Sequence, residues 1–150
     1  MKVFLAMPYT GLCDNNNILK EEYKSFFEKL LLRLEKIGCD CFLAHRREKW
    51  GKEYSSDTES TNIDYKTIKE SDLVCIIPGI PYSGGVHVEI GWASANKKKI
   101  NLFLKNNCSY SPMVTGIKCL TDANYYYYDD DFSNELIDLI VDSVLEKKEK

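Results

Sequence analysis

The sequence predicts one α/β domain, a parallel five-stranded sheet flanked by helices on both faces. Three observations carry this. Short apolar runs alternate with longer stretches in which apolar residues recur every three or four positions. The runs are continuous, as strands buried on both faces must be. At 150 residues, with 44% hydrophobic and 29% charged side chains, the chain suits a single core. No repeat, linker or low-complexity tract interrupts it, so positions 1–150 are read as one domain.

The first strand is the apolar run 3–7, ended by Pro8. It is too short for a signal segment or a membrane span, and a cytoplasmic protein is expected. Over 18–37, Tyr23, Phe26, Phe27, Leu30, Leu31 and Leu34 fall on one face of an amphipathic helix, with Gly38 as its stop. A second strand is expected at 39–44, then a polar loop over 45–59. Ser60 or Thr61 is expected to cap a helix reaching Glu70, ahead of a third strand at 73–77. A Pro- and Gly-rich loop, 78–85, opens a helix to about Asn96. A fourth strand (100–104), a short helix (111–120) and a fifth strand (124–128) follow, the four tyrosines of the last giving it two aromatic faces. A helix over 132–145 closes the fold, and 147–150 reads as a frayed tail. Alternation of this kind implies right-handed βαβ units, a Rossmann-like or flavodoxin-like architecture.

The formal net charge of −3 argues against a broad nucleic-acid or membrane footprint, while leaving room for a small anionic ligand. Cys13, Cys39, Cys41, Cys75, Cys108 and Cys119 contain no C-x-x-C pair, so buried free thiols are expected rather than a disulfide framework or a zinc site. His45 and His87 lie far apart and lack ligand spacing. No metal and no cofactor is expected.

In open α/β sheets, ligands bind beyond the carboxyl ends of the strands. Four segments converge there: 8–11, 45–50, 78–85 and 105–112. In the third, Ser83-Gly84-Gly85 precedes a helix. Glycines permit close backbone approach, and the free N–H groups with the helix dipole favour an anion. An ordinary N-cap with turn glycines explains the same residues. Glu89 sits about one turn into that helix, among Val86, Val88, Ile90 and Trp92. A carboxylate there costs several kcal/mol unless it has a partner or a cleft. It is either functional or bonded to a nearby backbone group or lysine.

Three blocks carry a resemblance: Asp64 followed by Asp72-Leu-Val; Ser83-Gly-Gly-Val-x-x-Glu89-Ile-Gly91-x-Ala93; and Ser111-Pro-Met113-Val-x-Gly116. With them the chain resembles the nucleoside 2-deoxyribosyltransferase superfamily, most closely its 2'-deoxynucleoside 5'-monophosphate N-glycosidases. The resemblance implies Glu89 as the nucleophilic or oxocarbenium-stabilising carboxylate, and Asp64 as an acidic residue near the sugar. It implies that Ser83, with Gly84 and Gly85, holds a 5'-phosphate. Ser111, in the segment with Met113, would come from the neighbouring subunit of a homodimer. Two departures stand out. The loop before Glu89 is one residue longer than in the deoxynucleotide hydrolases, and the first loop, with Tyr9 and Gly11, differs from theirs.

The run His45 to Gly51 is similar to one in cytidine-monophosphate hydrolases. Arg46 or Arg47 could fork onto phosphate or a base carbonyl, and Trp50 could stack on a base. A solvated charged loop with one packed Trp fits as well. His87 is a helper acid or a packed core residue; Tyr9 and Tyr82 are expected pocket walls. The resulting expectation is a nucleoside 5'-monophosphate N-glycosidase releasing free base and (deoxy)ribose 5-phosphate. Its rivals are a deoxyribosyltransferase and a non-catalytic nucleotide sensor.

Overall fold

Five segments extend as strands: β1 (Lys2–Ala6), β2 (Asp40–Leu43), β3 (Leu73–Ile76), β4 (Lys99–Lys105) and β5 (Ala123–Tyr128). They form one sheet in the order β2-β1-β3-β4-β5, with every pair parallel. The computed structural model describes residues 1–79 and 82–148. Ile80 and Pro81 of the expected Ser83 loop, and the last two residues of the expected tail, lie outside the described residues. The helices are α1 (Glu21–Lys36), α2 (Ala44–Arg47), α3 (Asp57–Glu70), α4 (Gly84–Ala95), α5 (Pro112–Thr115) and α6 (Asn134–Lys148).

Because side chains alternate across a strand, β1 feeds two cores. Val3 and Leu5 pack on one face with Phe27, Leu30 and Leu34 of α1 and Ile140 and Val144 of α6. Phe4 and Ala6 pack on the other with Ile68 of α3 and Val86, Ile90 and Ala93 of α4. Each fully buried Leu or Phe contributes ~1.5–3 kcal/mol. Both faces of the sheet are therefore covered, as the continuous apolar runs require. On the edge strand β5, Tyr125 packs toward the α3–α4 face and Tyr126 and Tyr128 toward the other.

Three local expectations need correction. α3 begins at Asp57, because the Ser56 side chain accepts from the amide of Glu59 at 3.2 Å and caps it there. The helix expected over 111–120 is α5 followed by a separate 3-10 turn, Ile117–Cys119. The loop expected at 45–59 holds α2 and a second 3-10 turn, Lys49–Gly51. A Cβ on Gly51 would meet the Asn17 carbonyl oxygen at 2.5 Å, so this close crossing of two chain segments requires glycine. Among the described residues, no helix is long and apolar enough to cross a membrane.

Candidate active site

β1 and β3 are neighbours in the sheet although β2 separates them in sequence. Their following loops leave in different directions, and a cleft opens where the strand order reverses. It measures about 250 Å³ and is walled by the loop after β1, the start of α2, Asp64 of α3, and residues 82–86 and Glu89 of the α4 region. Tyr9, Gly11, Asp64, Ser83, Gly84, Gly85 and Glu89 all line it.

Ser83 is the N-cap of α4: its side chain accepts from the Val86 amide at 3.4 Å. Its carbonyl accepts from the amide of His87 at 3.3 Å and from the His87 ring Nδ1–H at 2.7 Å. The His87 ring stacks on Tyr82 with centroids 4.4 Å apart. His87 thus braces the turn that presents Ser83 and does not line the cleft. A Cβ on Gly84 would touch nothing within 4 Å, and one on Gly85 only Ser83 Oγ at 4.0 Å. Packing within the chain does not demand these glycines. They leave the helix N-terminus, with its positive dipole end and free amides, open on the cleft side.

Two carboxylates enter from different helices. Burial raises Glu89 to about 8; the charge of Asp64 adds to the rise and that of Arg47 opposes it. Burial likewise raises Asp64 to about 6, opposed by Arg47 and reinforced by Glu48. Near neutral pH the pair therefore retains one proton and one negative charge. Such a pair can stabilise cationic character on one side and give or take a proton on the other.

His45 is a cleft residue that sequence reading did not single out. It is buried, its Nε2–H donates to the Pro8 carbonyl at 2.7 Å, and its ring lies between Tyr9 and Phe27 at 4.3 and 4.5 Å. Burial lowers its pKa to about 3, against the opposing Pro8 bond, so the ring is neutral. It pins the β1 loop and hence Tyr9. The only signal available was its place at the end of a strand.

Arg46 and Trp50 are corrected: neither lines the cleft. Arg46 turns back over α1 and β2, where it pairs with Glu35 and donates to the Cys41 carbonyl at 2.6 Å. Trp50 packs against the α1 side of the core, and with Arg46 it borders a separate depression beside Leu31 and Leu32. The arginine near the carboxylates is Arg47, whose Nη2 lies 3.5 Å from Asp64 Oδ1. Ser111 caps α5 through the Met113 amide at 3.3 Å, and Met113 is 79% exposed. Neither lines the cleft of its own chain. α4 is not apolar and buried all round, since Val88 is 50% exposed. Among the described residues, no group of three His, Cys, Asp or Glu side chains is placed to hold a metal.

No family model matches the chain, and no curated protein matches it. Solved structures do. A CMP N-glycosidase from Clostridium botulinum, BcmB, is 31% identical over 98% of this chain and 99% of its own, with a TM-score of 0.72. The solution structure of BlsM is 35% identical over 99% of this chain and 94% of its own, with a TM-score of 0.76. A 2-deoxyribosyltransferase from Bacillus psychrosaccharolyticus shares the fold at 19% identity, over 91% of this chain and 96% of its own, with a TM-score of 0.57. Fold and cleft together define a parallel α/β protein with a carboxylate pair at the strand-order switch. The chain belongs to the nucleoside 2-deoxyribosyltransferase-like family.

Proposed function

We propose that the protein is a nucleoside 5'-monophosphate N-glycosidase, with cytidine monophosphate the first substrate to test. The observation that carries this reading is the meeting of Glu89 and Asp64 in a cleft rimmed by the N-terminus of α4. The choice of base rests on the identity to the C. botulinum CMP N-glycosidase. The 5'-phosphate docks on the Ser83 hydroxyl and the Gly84 and Gly85 amides. This places C1' over Glu89.

In the reactive form the pair's one proton, held by Glu89 in the free site, has passed to Asp64; the Glu89 oxygen bonds to C1' as the C1'–N bond breaks and its electron pair leaves with the base. Protonated Asp64 supplies the proton that the departing base requires. Water then attacks C1', Asp64 accepts the water proton, and the glycosyl–Glu89 bond opens to give (deoxy)ribose 5-phosphate and free carboxylate. The chain is read as one domain acting as a cytoplasmic homodimer. All six cysteines are free thiols, in keeping with a reducing compartment. The exposed Val88 and Met113 are the apolar surface a second copy would cover, bringing its Ser111 to the phosphate.

The test is incubation with nucleosides and their 5'-monophosphates, with and without a second free base, followed by chromatography. Release of base from a monophosphate, with no exchanged nucleoside, supports the reading. Base exchange on unphosphorylated nucleosides moves the protein to the transferases, and binding without turnover makes it a sensor.

A further inference from the structure

The geometry points to Arg47 as the positioning residue of this site, a guanidinium anchored by Glu48 that fixes Asp64 and spreads its charge over the Asp64–Glu89 pair. The inference rests on the N-glycosidase reading above and adds residues that reading does not use. Arg47 Nη2 lies 2.9 Å from Glu48 Oε1 and 3.5 Å from Asp64 Oδ1, the three side chains being 18%, 7% and 15% exposed. Glu48 is a firm anchor: its Oε2 accepts from the Ser55 amide at 2.7 Å and its Oε1 from the Ser60 hydroxyl at 3.3 Å. These bonds tie the turn after α2 to the start of α3, the helix that carries Asp64. The guanidinium also stands 5.8 Å from the Phe42 ring centroid.

The anchoring is one-sided. Arg47 Nε and Nη1 and Asp64 Oδ1 are buried without a hydrogen-bond partner. Arg47 therefore acts on Asp64 by charge and proximity, and the carboxyl remains free to bond a substrate group. Three acidic groups act on this one cation: Glu48 and Asp64 beside it and Glu89 of α4, which feels its charge. Of the other titratable cleft walls, His45 is neutral and burial keeps the Tyr9 hydroxyl protonated, so neither adds a charge. With one positive charge against three carboxylates, the pair keeps a proton, and Arg47 limits how tightly. A guanidinium suits this task because it cannot deprotonate and can face two carboxylates at once.

The test combines carboxyl-carbon NMR titration of Asp64 and Glu89, which needs no turnover, with pH–rate profiles. Arg47→Met is expected to move both titrations and both limbs of the profile upward by roughly one unit, the effect of losing an opposite charge at this range. Arg47→Lys should return them most of the way. Glu48→Gln removes a negative charge and should move the Asp64 titration and the acidic limb downward. Should Arg47→Met fail to fold, Glu48→Gln carries the test with the opposite sign. An arginine that merely holds the loop would lower the rate equally at every pH and leave titrations and limbs in place; that result overturns the inference. If the wild type releases no base, the reading of function fails, while the two titrations still decide the charge relationship.

Discussion

Asp64 on α3 and Glu89 on α4 open onto the same cleft, and the negative charge of Asp64 adds to burial in holding a proton on Glu89 up to about pH 8. Under the proposed mechanism, Glu89→Gln should lower kcat by roughly 10³-fold or more, within or beyond the range for lost covalent and acid–base catalysis, with nucleotide Kd nearly unchanged. Single-turnover assays and calorimetric binding measure the two. A Gln variant with wild-type turnover would make Glu89 structural.

The same pair makes a stability prediction with a definite sign. Glu89 binds its proton more tightly folded (about 8) than in its ordinary state (4.5), so rising pH across that window removes stability. Glu89→Gln abolishes the cost of ionising a buried carboxyl. The variant should match wild type near pH 4.5 and gain on the order of 4 kcal/mol by pH 8. Thermal melts across that range read the difference; a gap independent of pH would contradict it.

The phosphate contact at Ser83 gives a third expectation. A hydrogen bond to a charged group contributes ~1.5–3 kcal/mol. Cytidine should therefore fall below its monophosphate in kcat/KM by about tenfold or more, and Ser83→Ala should narrow that gap. Equal rates on both substrates in wild type would remove the phosphate from the recognition scheme.

A shared site can be tested by mixing subunits. Glu89→Gln and Ser111→Asp homodimers should each be nearly inactive. Mixed dimers carry one site with both native residues, so activity should partly return once exchange is verified. No recovery after exchange, or a fully active monomer by light scattering, would defeat the idea.

His45 predicts a coupled loss of stability and positioning. His45→Phe leaves the Pro8 carbonyl without its donor, costing about 1–3 kcal/mol at pH 7, and raises KM by loosening Tyr9. The folded imidazole titrates near 3 against an ordinary 6.5, so wild type loses stability as pH falls through that interval. The deficit of the variant should narrow between pH 7 and pH 5 in urea unfolding. An unchanged deficit would mean that burial of a neutral ring is not what His45 contributes.

Much of this site was legible beforehand because its signals are local. A carboxylate in the run Val86 to Trp92 conflicts with its neighbours, and Ser83-Gly84-Gly85 announces a helix start within three residues. Both lie where a strand's carboxyl end must be. The segment 45–59 was opaque for the opposite reason. Its charges look like a solvated loop, and nothing nearby in sequence shows that Glu48 bonds the Ser55 amide or that Arg47 approaches Asp64, seventeen positions further on.

The sequence by itself determined the order of strands and helices, the two-faced burial of the sheet and the acidic group at its mouth, because periodicity and desolvation cost act over one or two turns. Only the tertiary structure decided which neighbouring arginine approaches Asp64. Adjacent helical residues point about 100° apart, so Arg46 turns to Glu35 while Arg47 turns to Asp64. Which direction is inward depends on where α1 and α3 pack, and that is set by contacts between residues far apart in the chain.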